Sequence, residues 1–190
     1  MKKELELWMV RHGQTDWNLE GRYQGQADIP LNEQGIQQAY NLCKKLDGVK
    51  FSAIFCSDLK RARQTAEIVG AHLDISVRID PRFREINQGE WEGQLVNDIK
   101  KRYLEKAGSH SQAAGLRPPG GETVVEVAQR MVKGAQAICE QFDGQRVLLV
   151  SHGLAVATLI CMAGGLSLDE AYRQIPENIQ TVKINWQCES

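Results

Sequence analysis

Short apolar runs recur along this chain, and segments of helical periodicity separate them; no other feature restricts its fold as strongly. Leu5–Val10, Phe51–Cys56, Ile75–Ile79 and Arg146–Val150 read as strands. The last is an unbroken apolar run after Arg146, suited to a strand buried on both faces. Thr181–Trp186 alternates apolar with polar residues, as an edge or half-exposed strand does. Between these runs Ile36, Ala39, Tyr40, Cys43 and Leu46 repeat at helical spacing, and so do Leu59, Ala62, Ala66, Val69 and Leu73. The longest periodic stretch carries Val124, Val127, Ala128, Met131, Ala135, Ile138 and Phe142 on one face. It opens on Thr123-Val124-Val125-Glu126, a capping-box pattern. A further helix is expected after Gly153, and Ser167-Leu168-Asp169-Glu170 is suited to capping a short one. Strands joined through helices require crossovers, hence an α/β fold with a mostly parallel sheet and helices on both faces.

The chain has 190 residues, which fits one domain over 1–190, since a single core grows to roughly 250 residues before chains divide. Gly108 to Glu122 is rich in Gly, Ser and Pro and reads as a surface loop or lid, not a boundary. Lys plus Arg is 23 and Asp plus Glu is 24. A dedicated nucleic-acid binder carries a basic excess, so that class is not expected. No apolar run reaches the length of a membrane span, and the one behind Met1-Lys2-Lys3-Glu4 is too short for a secretory signal. The five cysteines, Cys43, Cys56, Cys139, Cys161 and Cys188, form no CxxC pair. They are expected as reduced, mostly core residues of a cytoplasmic protein, with no zinc site.

In open parallel sheets ligands bind beyond the carboxyl ends of the strands. Arg11-His12-Gly13 follows the first strand, and Ser57 to Arg63 the second. Pro81-Arg82-Phe83-Arg84-Glu85 follows the third, and Ser151-His152-Gly153 the fourth. Two of the four histidines thus occupy equivalent places, each before a glycine. Arginine is a permanently charged fork that matches phosphate oxygens, and a helix start turns N–H groups toward an anion. Arg11, Arg61, the Asn18 amide and the helix start near Gly153 form a plausible phosphoryl cradle. A neutral histidine nitrogen there is a competent nucleophile, provided its other nitrogen donates, for example to a backbone carbonyl. The leaving alkoxide needs a proton, and Glu85 is a candidate donor if burial or a bound phosphate keeps it protonated.

Residue types alone leave choices open. Arg61 competes with Lys60 and Arg63, and Glu85 with Glu90 and Glu92. His72 and His110 lack comparable company and read as a helix-surface and a loop residue. Trp8, Trp17, Trp91 and Trp186 read as core or pocket walls. Other phosphate chemistries fit poorly. A cysteine phosphatase places Arg six residues after Cys, and six after Cys56 stands Ala62. The segment Gly115 to Glu122 lacks a P-loop lysine, and HExxH does not occur.

The stretch Leu7-Trp8-Met9-Val10-Arg11-His12-Gly13-Gln14-Thr15-Asp16-Trp17-Asn18 closely resembles the signature of the histidine phosphatase superfamily, in the branch that includes cofactor-dependent phosphoglycerate mutases. The likeness continues through Arg22 to Gly35, Ser57 to Ala66, Arg84-Glu85-Ile86, Gly89-Glu90-Trp91-Glu92-Gly93 and Ser151-His152-Gly153. The resemblance implies a three-layer α/β/α sandwich whose mostly parallel sheet has one antiparallel strand, assigned to Thr181–Trp186. It implies His12 as the nucleophile that becomes phosphohistidine, with Arg11, Arg61 and His152 in the phosphate pocket. Glu85 becomes the proton donor and later the activator of water. Asn18 supports the phosphate, Gln24 and Gly25 line the substrate entrance, and Thr15 and Gly153 complete the binding set. No metal and no cofactor are implied, and the partner is a small phosphate ester.

Mutases of this family typically show Glu-Arg-x-Tyr at the acid, whereas Glu85 is followed by Ile86-Asn87-Gln88. They also carry extra sequence before the second histidine motif, where this chain is short. The phosphatase type, which includes α-ribazole and broad-specificity phosphatases, is therefore the expectation. Phosphoglycerate mutase action and a non-catalytic phospho-ligand module are the alternatives. Specificity is expected in residues 108–122 and around Gln24; neither the substrate nor the oligomeric state is readable from the sequence.

Overall fold

The computed structural model describes residues 3–104 and 113–188. The chain runs β1 (Glu4–Arg11), α1 (Asp16–Glu20), α2 (Glu33–Leu46), β2 (Ala53–Cys56), α3 (Lys60–Leu73) and β3 (Val77–Ile79). It continues through α4 (Val96–Ile99), α5 (Val124–Gln141), β4 (Arg146–Ser151), α6 (Gly153–Gly164) and β5 (Thr181–Gln187). The five strands form one sheet in the order β3-β2-β4-β1-β5. All neighbours pair parallel except β1 with β5, where Leu7 faces Ile184 in an antiparallel register. The expected reversal of Thr181–Trp186 is thus observed.

Side chains alternate across a strand, so β1 supplies two cores. Leu5, Leu7 and Met9 pack with α5 and α6 residues such as Met131, Ile138, Leu154 and Leu159. Trp8 and Val10 pack on the other face with Leu42, Cys43, Ala62, Ala66 and Val69 of α2 and α3. β4 does the same, with Val147 and Leu149 on one face and Leu148 and Val150 on the other, all fully buried. That two-sided burial is why its sequence is continuously apolar, and each such side chain contributes about 1.5–3 kcal/mol.

The capping box at Thr123 is formed: its hydroxyl accepts from Glu126 N, and the Glu126 carboxylate accepts from Thr123 N. Ser167 caps a 3-10 helix, Leu168–Gln174. Among the described residues no helix is long and apolar enough to cross a membrane.

One expectation changes. Cys139, on α5, and Cys188, just past β5, form a disulfide with their Cα atoms 6.0 Å apart, so these two are not free thiols. Helix face and strand end meet only in three dimensions, 49 residues apart, and nothing in their spacing announces it. Cys43, Cys56 and Cys161 are free and buried, as expected of core cysteines. The Gly108–Glu122 segment lies partly outside the described residues, as does His110. Its described remainder is knitted to the loop after Glu85: Glu122 N donates to Asn87 O (2.9 Å) and Glu90 N to Pro119 O (2.9 Å).

Candidate active site

β1 and β4 are adjacent, and the helices that follow them lie on opposite faces of the sheet. Chains that leave neighbouring strands toward opposite faces open a crevice at the carboxyl ends. His12 follows β1 and His152 follows β4, and their ring centroids stand 5.2 Å apart. Both rings are buried, His12 with 3% of its surface exposed and His152 with none.

His12 Nδ1 lies 2.7 Å from the carbonyl of Gly13. A carbonyl only accepts, so Nδ1 carries the proton and Nε2 the lone pair. Arg61 Nε donates to that Nε2 at 3.2 Å. Burial first, then the Arg61 and Arg11 cations, hold the His12 pKa well below the ordinary imidazole value. His152 is lowered likewise by burial, then by Arg61, His12, Arg130 and Arg11.

Arg61 projects from the first turn of α3 and is fully buried. Its Nη1 donates to Ala27 O and its Nη2 to Gly25 O, both at 2.7 Å. Burial pushes its pKa down to about 10, which leaves it cationic at neutral pH. Arg63, two residues on, is exposed and pairs with Glu67, while Lys60 pairs with Asp28. The helix itself therefore decides among the three. Arg11 gives Nη1 to Pro176 O (2.9 Å), while its buried Nε has no protein partner. Neither ring nitrogen of His152 has one either. Buried polar groups are normally satisfied, and Arg11 Nε and the single N–H of a neutral His152 ring are donors that an anion can take.

Glu85 approaches from the loop after β3. Its Oε1 accepts from Ile86 N (3.0 Å) and Ala155 N (3.1 Å), and its Oε2 from Leu154 N (3.2 Å). The start of α6 thus holds this carboxylate; the sequence expectation had aimed these N–H groups at the phosphoryl group. A negative group at a helix N-terminus is favoured by the helix dipole. Gly153 allows this convergence: a Cβ there stands 2.9 Å from Ile175 Cγ2 and 3.5 Å from Arg11 Nε. Of the rival acids, Glu90 is exposed. Glu92 instead accepts from Gln26 N (2.7 Å) and Gln88 N (3.3 Å) and so braces the Gly25–Gln26 turn. Gly25 sits at φ 51° and a Cβ on it meets Glu92 Oε1 at 2.2 Å, so only glycine fits.

A cavity of about 380 Å³ opens here, lined by Arg11, His12, Asn18, Gln24, Gly25, Arg61, Glu85 and Gly153 among others. Asn18 turns Oδ1 to Thr15 N (3.1 Å), which leaves Nδ2 for an anion. Thr15 itself is a correction: it is fully buried as the N-cap of α1, its hydroxyl accepting from Asn18 N, and it does not line the cavity. His152 stands behind the lining, against His12. The outer wall is built by Trp17, Tyr23, Val96, Leu154, Tyr172 and Ile175. Of these only Trp17 was marked beforehand as a pocket wall. None of the described residues 113–122 is among the residues that line the cavity.

Sequence reading also missed the 175–180 turn. Asn178 Nδ2 donates to His12 O (2.8 Å), and Ile179 N donates to Arg11 O (2.9 Å). Ile179 holds φ 64°, a conformation unfavourable for a β-branched residue and visible only in three dimensions.

Comparison with known proteins places the chain in a family. A family model described as the histidine phosphatase superfamily (branch 1) matches residues 7–190. A "Probable phosphoglycerate mutase GpmB" of Cronobacter sakazakii is 34% identical over 187 residues, spanning 96% of this chain and 86% of its own. Among solved structures, the alpha-ribazole phosphatase from Shigella flexneri shares 31% identity with a TM-score of 0.79, covering 91% of this chain and 86% of that one. A mycobacterial glucosyl-3-phosphoglycerate phosphatase in complex with VO3 is 31% identical with a TM-score of 0.83, covering 95% and 90%. With that family model matched over residues 7–190, the chain belongs to the histidine phosphatase superfamily, branch 1.

Proposed function

We propose that this protein is a phosphomonoester phosphatase that works through a phosphohistidine on His12. The observation that carries the reading is the unprotonated His12 Nε2, pinned by Gly13 O and set among the Arg11 and Arg61 cations with Glu85 on the same cavity. The Nε2 lone pair attacks phosphorus, and the ester P–O bond breaks. In this step Glu85 enters as the neutral acid and gives its proton to the departing alkoxide. A water then attacks the phosphorylated His12 while Glu85, now a carboxylate, accepts its proton. The P–N bond breaks and orthophosphate leaves. Arg11, Arg61, Asn18 and His152 meet the charge spread over the equatorial oxygens.

Hydrolysis is preferred over phosphoglycerate mutase action for a reason of charge. A mutase retains a bisphosphate and needs a second anion site. Beyond Arg11 and Arg61, the cavity's basic groups are Arg22 and Lys100. Arg22 is engaged with Glu20 and Gly93 O, which leaves Lys100 as the single further cation for a second phosphate. The aromatic and aliphatic outer wall suits the alcohol part of a small phosphorylated metabolite, and relatives named alpha-ribazole and glucosyl-3-phosphoglycerate phosphatases are consistent with such substrates.

His12→Ala is expected to cut turnover of p-nitrophenyl phosphate by at least about 10³-fold and to abolish trapping of phosphohistidine, with the fold intact by circular dichroism. Substantial residual turnover would overturn the assignment. Rapid interconversion of phosphoglycerates primed by 2,3-bisphosphoglycerate, without orthophosphate release, would replace hydrolysis by the mutase reading.

A further inference from the structure

Arg130 lies on α5, outside every motif that marks the site. Its guanidinium has five N–H donors, and each finds an acceptor. Nε and Nη2 hold the two Glu122 oxygens, each at 3.0 Å. Nη1 donates to Arg82 O (2.8 Å) and Arg84 O (2.5 Å), and Nη2 also to Glu85 O (2.8 Å). Glu122 in turn accepts from Asn87 N at 2.8 Å. One ion pair therefore fixes the main chain on both sides of Glu85. The pair is mostly shielded, with 18% and 23% of the two side chains exposed. On the far side, Gln26 Nε2 donates to the same Glu85 carbonyl at 3.1 Å.

We propose that Arg130, locked to Glu122, is a positioning residue that sets where the Glu85 carboxyl stands over the leaving-group oxygen. This deepens the phosphatase reading and rests on it, because it takes Glu85 as the proton donor. Three N–H groups hold the carboxyl itself, from Ile86, Leu154 and Ala155. Those bonds orient a carboxylate only if the Glu85 main chain arrives in register with the start of α6. Arg130 supplies that register from the opposite side, while touching neither substrate nor reacting atoms. Lysine offers three donors without a planar fork and cannot hold three carbonyls and a bidentate carboxylate together.

A displaced acid has a kinetic signature that general loosening lacks. An ester whose leaving group departs as a stable anion needs no proton, whereas an alkyl ester does. The test compares kcat/KM for 2,4-dinitrophenyl phosphate and benzyl phosphate, esters of similar size, in wild type, Arg130→Lys, Arg130→Met and Glu85→Gln. Arg130→Lys is expected to lose about 10- to 100-fold on benzyl phosphate, the scale of a misplaced or missing general acid. It is expected to stay within about three-fold of wild type on the dinitrophenyl ester, where proton donation contributes little. Arg130→Met is expected to show the same bias more strongly; where it fails to fold, Arg130→Lys carries the test. Equal losses on both esters, or no loss on either, would overturn the positioning role while a selective loss in Glu85→Gln leaves the phosphatase reading intact. An equal loss on both esters in Glu85→Gln would remove Glu85 as proton donor, and the inference with it.

Discussion

An imidazole attacks phosphorus only while it is unprotonated, and here burial does most of that work. His12 and His152 are both shielded from water, and Arg61 and Arg11 stand near each. Both folded-state pKa values therefore lie well below the unfolded value of 6.5. As pH falls through 6.5 the unfolded chain takes up protons that the folded chain refuses. Stability is thus full above about pH 6.5 and declines as pH falls below it, by up to about 1.4 kcal/mol per pH unit for each histidine. Melting temperature is expected to drop between pH 7 and pH 5, and His152→Asn, which removes one titrating ring, is expected to make that drop shallower. An equally steep decline in the variant would show that His152 is not held neutral. At this scale much was legible. His12 and His152 stand out because each follows an apolar run and precedes glycine. Arg61 did not stand out from Arg63, since which of them enters the core depends on the direction α3 leaves the sheet. Thr15 looked like a ligand because it lies in the motif, whereas its hydroxyl is spent on capping α1.

Elements were legible where a face is buried and obscure where ends meet. The continuous run of β4, the two-faced alternation of β1 and the capping box at Thr123 follow from burial period and from orphan N–H groups. Helix α1 escaped notice because five residues carry too little periodicity. The seat of Glu85 on α6 and the clamp from α5 escaped because they join distant segments through backbone groups, which side-chain patterns do not reveal. The disulfide belongs to the same class. It ties the last turn of α5 to the end of β5, the antiparallel edge strand, across 49 residues. Closing a loop of that length stabilises by about 2–4 kcal/mol through the unfolded chain. Thiol titration in denaturant is expected to count three free thiols before reduction and five after. Reduction is also expected to lower the melting temperature with little effect on kcat, because neither cysteine lines the cavity. Five titratable thiols without reductant would remove the bond.

At the scale of the whole molecule, the cavity forms where α2 and α6 depart from adjacent strands toward opposite layers. The net charge is only -1, so the anion is drawn by local cations and not by a basic surface. Arg11 and Arg61 repel each other, as the downward pull of Arg11 on the Arg61 pKa indicates, and His152 presents two ring nitrogens without protein partners. A bound anion relieves that repulsion and accepts from Arg11 Nε and from the one N–H of the neutral His152 ring, and it binds only the folded chain. Orthophosphate, the product of the proposed reaction, is therefore a stabiliser. At a hundred times its dissociation constant it adds about 2.7 kcal/mol, and for a chain of this size that raises the melting temperature by about 5–10 °C. The rise is expected to saturate with phosphate concentration, to be absent with chloride at matched ionic strength, and to be lost in Arg61→Gln. Chloride matching phosphate, or an undiminished rise in the Arg61 variant, would mean that this concavity is not where the anion binds.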